Sequence, residues 1–353
     1  MNRRSFIRNT TISTIGLSLQ SFDSVFKDKS QMGIVVHSYA NRWRSKIPST
    51  KYPGFQNALS LLDHCHQIGA GGLQVMVDGW NQDFTRQVRE RREKLGLYLE
   101  GSLALPKKTE DLPRFENEVR QAREAGAEII RTVCLNGRRY ENFHYEEEFN
   151  QFKQNALKAL QEVEPILRKN RVRLAIENHK DWRAQELVNL LHTLSSEWMG
   201  VTLDFGNNIA LMEDPVDVVK ILSPYIFSTH VKDMATEESP DGFLLSEVPL
   251  GKGNLDLPKM VELCKKQNPA VRYNLEMITR DPLRIPCLEE SFWSTLNTIQ
   301  AIELVKLLKE VKGNKYGSSL PKPSTLSGED RLALEEENIL ISLDYSRKNL
   351  EPI

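Results

Sequence analysis

The stretch RLAIENHKD (173–181) runs through a short apolar, strand-like core onto a carboxylate, Glu177, and then turns polar. The same event recurs downstream in GVTLDFGNN (200–208), IFSTHVKD (226–233) and RYNLEM (272–277), whose apolar runs end on or beside Asp204, His230 and Glu276. Each interval between these four residues holds at least one helix and one returning strand. Where strands and helices alternate around a barrel, functional side chains gather at the C-terminal strand ends. Three carboxylates and an imidazole brought together there would form a site for a divalent cation.

Outward from these runs, the alternation extends from Met32 to Val311. The earlier strands are MGIVVHSYA (32–40), GLQVMV (72–77), LYLEGSLAL (97–105) and EIIRTVCL (128–135). Helices are expected over 55–70, 83–95, 112–125, 145–170, 184–194, 215–222, 257–267 and 292–311. Gly126 stops the third of these, because glycine tolerates the positive φ of a helix end. In the long helix over 145–170, Phe152, Ala156, Leu160, Val163 and Leu167 recur at spacings of three and four, the period of one buried face. Strands and helices in this alternation predict an α/β chain folded as a (β/α)8 TIM barrel. The rival, an open doubly wound sheet, commonly opens with G-x-G-x-x-G after its first strand, and none follows here.

Segments outside the barrel complete the layout: 1–30, 31–311 and 312–353. The first reads MNRRSF and then a modest apolar stretch, resembling a twin-arginine export signal, so a periplasmic location is expected, or a cytoplasmic one if the signal is not used. That stretch falls short of the about 20 apolar residues needed to span a bilayer, so no stable membrane insertion is expected. In the last segment, 312–326 reads as a linker. Ser327 is a helix cap with Asp330 three residues on, and Leu332, Ile339 and Leu343 form an apolar stripe. This C-terminal helix is expected to pack on the barrel or to mediate a homo-oligomer contact.

Composition narrows the partners. Lys and Arg number 47 against 48 Asp and Glu, a net charge of −1, which offers no electrostatic footprint for nucleic acid. The expected partner is a small molecule. Cys65, Cys134, Cys264 and Cys287 show no C-x-x-C spacing, which removes a zinc knuckle or a redox pair.

Taken singly, each of the four strand-end residues has a structural explanation, such as helix capping. As a set they repel one another unless a cation intervenes. Three oxygens and a nitrogen suit Mn²⁺ first, with Mg²⁺, Co²⁺ or Zn²⁺ as alternatives, over a thiolate-loving metal.

The segments IENHKD, TLDFGN, STHVKD and NLEM, with PLGKGNLDL at 249–257, resemble the metal-site strands of the xylose-isomerase-like sugar isomerases and epimerases. That superfamily includes ketose 3-epimerases, inosose dehydratases and endonuclease IV, the last requiring many more histidines than the seven here. The resemblance implies that Glu177, Asp204, His230 and Glu276 are metal ligands, with Glu177 and Glu276 also the catalytic acid/base pair. It implies isomerisation or epimerisation of a sugar through an enediolate, with a lyase or dehydratase acting on a keto-sugar or 3-keto-glycoside as the alternative. A non-catalytic carbohydrate-binding barrel is the remote alternative. Two departures stand out: Asn207 occupies the place of a histidine typical of ketose 3-epimerases, and no arginine closely follows the metal histidine. Candidate substrate contacts are His37, Trp80, His179, Asn207, Lys232 and Arg280.

Overall fold

Strands that must be buried on both faces need near-continuous apolar cores, and these sequences supply them. The computed structural model describes residues 29–313, 316 and 319–351; the export-like N-terminal stretch lies outside the described residues. Strands β1 (Gly33–Val35), β2 (Gly72–Met76), β3 (Tyr98–Ser102), β4 (Ile129–Thr132), β5 (Arg173–Glu177), β6 (Met199–Asp204) and β7 (Ile226–Val231) lie side by side in that order. A hairpin, β8 (Asp233–Ser239) and β9 (Gly242–Val248), intervenes before β10 (Arg272–Leu275), which pairs with both β7 and β1. The eight barrel strands are parallel and closed, as the alternation predicts.

Helices α1 (Ala58–Gln67), α2 (Gln82–Leu95), α3 (Leu112–Glu124), the short α4 (Arg139–Asn142), α5 (Glu146–Asn170), α6 (Ala184–Leu194), α7 (Pro215–Leu222) and α8 (Leu257–Gln267) follow. Their starts are chemically marked. Asn81 accepts from the Phe84 amide, Asp214 from Asp217 and Asp256 from Lys259, each satisfying an orphan donor of the first turn.

Three features depart from the sequence expectation. The first strand ends at Val35, and a 3-10 turn over Val36–Tyr39 follows, so His37 sits on a turn rather than at a strand end. The helix expected over 292–311 is divided: a 3-10 turn covers Glu290–Trp293, and α9 runs only over Ala301–Gly313. Moreover, α9 faces a small antiparallel sheet, β8–β9–β11, where β11 is Leu283–Ile285. Its Val311, Leu304 and Leu307 pack against the cluster of Phe243, Leu245 and Ile285. The hairpin itself was not anticipated, although Asp241-Gly242 between two strand-like runs is a hairpin signal.

The slot beside β10 and β1 is taken instead by α10 (Gly328–Asn349), capped by Ser327. Ile339, Leu343 and Leu350 join the main barrel core. Glu335 of α10 accepts at Oε1 from the Asn41 amide and side chain, at 2.7 and 3.0 Å. Asn338 donates to Thr279 Oγ1 at 2.9 Å. The C-terminal helix thereby ties together the turn after β1 and the loop after β10. No helix among the described residues is long and apolar enough to cross a membrane.

Glu335 is fully buried, its Oε2 has no hydrogen-bond partner, and burial pushes its pKa up to about 7. The folded chain therefore holds this proton over a range where the unfolded chain has lost it. Stability from this group falls as pH rises from the ordinary carboxylate range through about 7. Glu335→Gln is expected to raise the Tm by roughly a few degrees at about pH 8, the gain closing toward about pH 5. A variant melting lower than the parent at the higher pH contradicts this.

Candidate metal centre

The parallel register carries four side chains to one end of the barrel. Glu177 and Asp204 are the last residues of β5 and β6, and Asp204 is the register partner of His230 on β7. Glu276 lies one residue past β10, where its amide still donates to Val231 O at 2.9 Å. All four are buried, and one ligand atom from each lies within 4.8 Å of all the others.

The imidazole organises the group. His230 Nε2 lies 2.8 Å from Gln74 Oε1, while Gln74 Nε2 donates to Glu100 Oε2 at 3.0 Å. The amide's orientation makes Nε2–H the donor, so Nδ1 faces inward and offers its lone pair there once the ring has lost its second proton. Nδ1 stands 3.5 Å from Glu177, 3.8 Å from Asp204 and 3.4 Å from Glu276, with no hydrogen-bond partner. Asp204 Oδ2 likewise has no hydrogen bond, although Lys232 Nζ is ion-paired with it at 2.7 Å. Two buried polar atoms aimed into a cluster of carboxylates are the donor set a divalent cation takes.

Each carboxylate's other contacts hold it in place. Arg131 donates from Nε to Glu177 Oε2 at 2.6 Å, and Asn207 Nδ2 donates to Oε1 at 3.0 Å. Asp204 Oδ1 accepts from the amides of Gly206 and Asn207 at 2.9 and 2.8 Å. Gly206 is required by close approach, since a Cβ there would lie 2.5 Å from Met234 Cγ and 3.2 Å from Lys232 Cδ. Lys232 donates to Glu276 Oε2 at 2.6 Å, and His37 Nδ1 is 3.3 Å from Oε1. Burial alone would raise the two glutamates, but Arg131 and His230 hold Glu177, and Lys232 and His230 hold Glu276, well below the usual carboxylate range. Burial likewise opposes a charged His230, yet Glu276 and Glu177 outweigh it and pull the ring up to about 9.

A cavity of about 1180 Å³ opens beside this group, lined among others by His37, His179, Lys180, Asn207, Lys232, Glu276 and Arg280. His179 is half-buried, with Nδ1 unpartnered, and burial, reinforced by Lys180, takes its pKa down to about 3, which keeps it neutral. Arg280 does not stand free in a loop. It pairs with Glu247 of β9, its Nε donating at 3.2 Å. Trp80 is not among the lining residues; it packs edge-on against Phe84 with ring centroids 5.4 Å apart.

Lys232 ignores its neighbour Asp233, whose carboxylate accepts amides from Met234, Gly251, Gly253 and Leu255 and so anchors the PLGKGNLDL loop. Among the further polar residues that join the site without having been singled out are Gln74, Glu100, Arg131 and Glu247. Their signal was a polar residue inside an apolar strand, which burial makes costly unless it is partnered.

The family model of a xylose isomerase-like TIM barrel matches residues 62–306, and the chain belongs to that family. A 3-oxo-isoapionate decarboxylase from Pectobacterium atrosepticum is 27% identical over 232 residues, 64% of this chain and 78% of that protein. Among solved structures, D-psicose 3-epimerase with D-tagatose from Clostridium cellulolyticum superposes with a TM-score of 0.58 at 11% identity, covering 90% of this chain and 99% of that one. A xylose isomerase-like TIM barrel protein from Mycobacterium smegmatis, in complex with magnesium, gives 0.54 at 14%, covering 80% and 98%. At these identities the structural likeness speaks to the fold.

A cation at Nδ1 must displace the proton that His230 carries below about pH 9. Affinity for Mn²⁺ is therefore expected to rise about tenfold per pH unit toward that value and then level off. Calorimetry in two buffers of different ionisation enthalpy should register about one proton released at neutral pH. Asp204→Ala should lose the metal by elemental analysis, and unchanged metal content removes Asp204 from the ligand set.

Proposed function

We propose that this family member is a divalent-metal-dependent isomerase or epimerase of a small oxo-sugar, working through an enediolate. The observation that carries the reading is the inward, unpartnered His230 Nδ1 among three buried carboxylates beside the cavity. A cation held by Glu177, Asp204, His230 and Glu276, with Mn²⁺ placed first and Mg²⁺, Co²⁺ or Zn²⁺ as alternatives, supplies Lewis-acid stabilisation of the developing enediolate.

The chain's own groups manage the protons. Arg131 keeps Glu177 ionised and oriented, ready to accept a proton from the carbon next to a carbonyl. Glu276 is the partner that returns a proton. Its Oε1 lies 3.3 Å from His37 Nδ1, and the His37 side chain is 37% exposed, which gives a route between the site and solvent. Lys232, 1% exposed in the cavity wall, offers an ammonium to oxygen charge as it develops. His179, held neutral, lines the cavity and can present its ring to a substrate hydroxyl.

A second reading is a lyase that passes through the same enediolate. Asn207 favours it, because its side chain is committed to Glu177 and Lys180 where a ketose 3-epimerase has a histidine. Similarity to a decarboxylase over 78% of that protein also favours it. Loss of CO₂ from a 3-oxo acid would form the enediolate in place of proton abstraction and leave protonation as the second step, whereas loss of an oxygen substituent would follow abstraction and take the place of protonation. Export through a twin-arginine route and self-association are parts of the proposal that rest on sequence alone.

Wild-type protein loaded with Mn²⁺ is expected to exchange the α-proton of keto-sugars with deuterated solvent. Glu177→Gln and Glu276→Gln should each slow that exchange on the order of a hundredfold or more, with metal content measured alongside. Exchange that survives both substitutions in metal-loaded protein would sink the acid/base assignment. Release of CO₂, water or an aglycone by the wild type selects the lyase.

A further inference from the structure

Four cations surround the carboxylate cluster, and three have counter-charges. Arg131 is paired with Glu177, Lys232 with Asp204 and Glu276, and Arg280 with Glu247. Lys180 is the exception. It is 3% exposed, it lines the cavity, and its Nζ donates to the neutral side-chain oxygen of Asn207. Among the described residues no carboxylate lies within ion-pair distance of it. The opposite charges that act on it, Glu247 and Asp204, are already engaged by Arg280 and Lys232, while Lys232 and Arg280 themselves repel it. Burial and these two neighbours lower the ammonium to about 8, so it remains largely charged at neutral pH.

A buried, charged ammonium without a counter-ion is costly unless something in the cavity compensates it. We propose that Lys180 is an anion-recognising, specificity-determining residue, and that the substrate carries a carboxylate seated on it: an oxo-sugar acid rather than a neutral oxo-sugar. This rests on the reading of the site as a metal-assisted enolising centre and names its substrate class.

A carboxylate suits the position better than a phosphate ester. The Asn207 amide alone separates Lys180 from Glu177, with its oxygen on the ammonium and its Nδ2 3.0 Å from Glu177 Oε1. The anion therefore sits a short link from the carbons that react, as a carboxylate on the sugar chain does. One uncompensated ammonium also matches a monoanion. A phosphate on a distal carbon would reach instead toward Lys107 and Lys108, elsewhere in the cavity lining.

The test is calorimetric binding to the Mn²⁺-loaded full chain of three non-reacting probes: a six-carbon aldonate, the hexitol of equal length and a hexitol phosphate. The aldonate is expected to bind about tenfold or more tighter than the hexitol, the size of a charge-assisted hydrogen bond. Lys180→Met should erase that preference and Lys180→Arg should keep part of it, both with unchanged metal content. Equal binding of aldonate and hexitol, no measurable aldonate binding, or equal weakening of both by Lys180→Met overturns the proposal. So does a phosphate preference that Lys180→Met leaves intact. Failure of the underlying enolisation reading shows elsewhere, as absent metal or absent solvent-deuterium exchange, and charge discrimination can fail while both persist.

Discussion

Three carboxylates closing on one buried imidazole impose the constraint around which the upper end of this barrel is built. Unpaired, they would repel one another through a medium that screens poorly. Two fixed cations answer that repulsion from outside the cluster, Arg131 on Glu177 and Lys232 between Asp204 and Glu276. Neither takes the inward face of His230, whose Nδ1 has no hydrogen-bond partner. The compensation is thus incomplete: the glutamates stay ionised and held in place, and the centre is a place that could hold a metal ion.

Keeping that place requires a rigid imidazole, and the barrel interior supplies the rigidity. Glu100 Oε2 accepts from Gln74, from Ser228 at 2.6 Å and from Asn274 at 3.0 Å, joining β2, β3, β7 and β10 below the site. Gln74 passes this fixed orientation on to His230. Burial pushes Glu100 upward although these donors oppose it, so the network has a cost in stability. That cost is repaid in orientation, since a ligand histidine holds one tautomer only when its second nitrogen is engaged. Above the site, α10 plays a comparable part through Asn41 and Thr279, bracing the two loops that carry His37 and follow Glu276.

Much of this was legible because local and global signals agree in the barrel. The helix boundaries over 184–194, 215–222 and 257–267 coincide with the structure, where an N-terminal Pro or a polar cap and one apolar face all point the same way. The quartet was visible because each member ends an apolar run beside a change in polarity. Arg131, Gln74 and Glu100 were not, because a polar residue within a strand does not say whether it faces helix or lumen until the register is known. Trp80, a candidate for the cavity wall or for packing, packs edge-on against Phe84 four residues on. His37 kept its place near Glu276 although its strand ended early, since the 3-10 turn still presents it to the barrel mouth.

The hairpin between β7 and β10 matters beyond topology. It brings Glu247, buried at 3% exposure, to Arg280, and so removes one guanidinium from the charges free to meet a ligand. Burial would raise Glu247, but Arg280 and Lys232 hold it below the usual range. Without that carboxylate the cavity would present two uncompensated cations near the centre, suited to a dianion. With it, Lys180 is the one of the four described cations around the cluster left without a direct counter-charge. An insertion outside the barrel's repeating plan thereby fixes how much of the positive charge around the quartet is already answered by the fold.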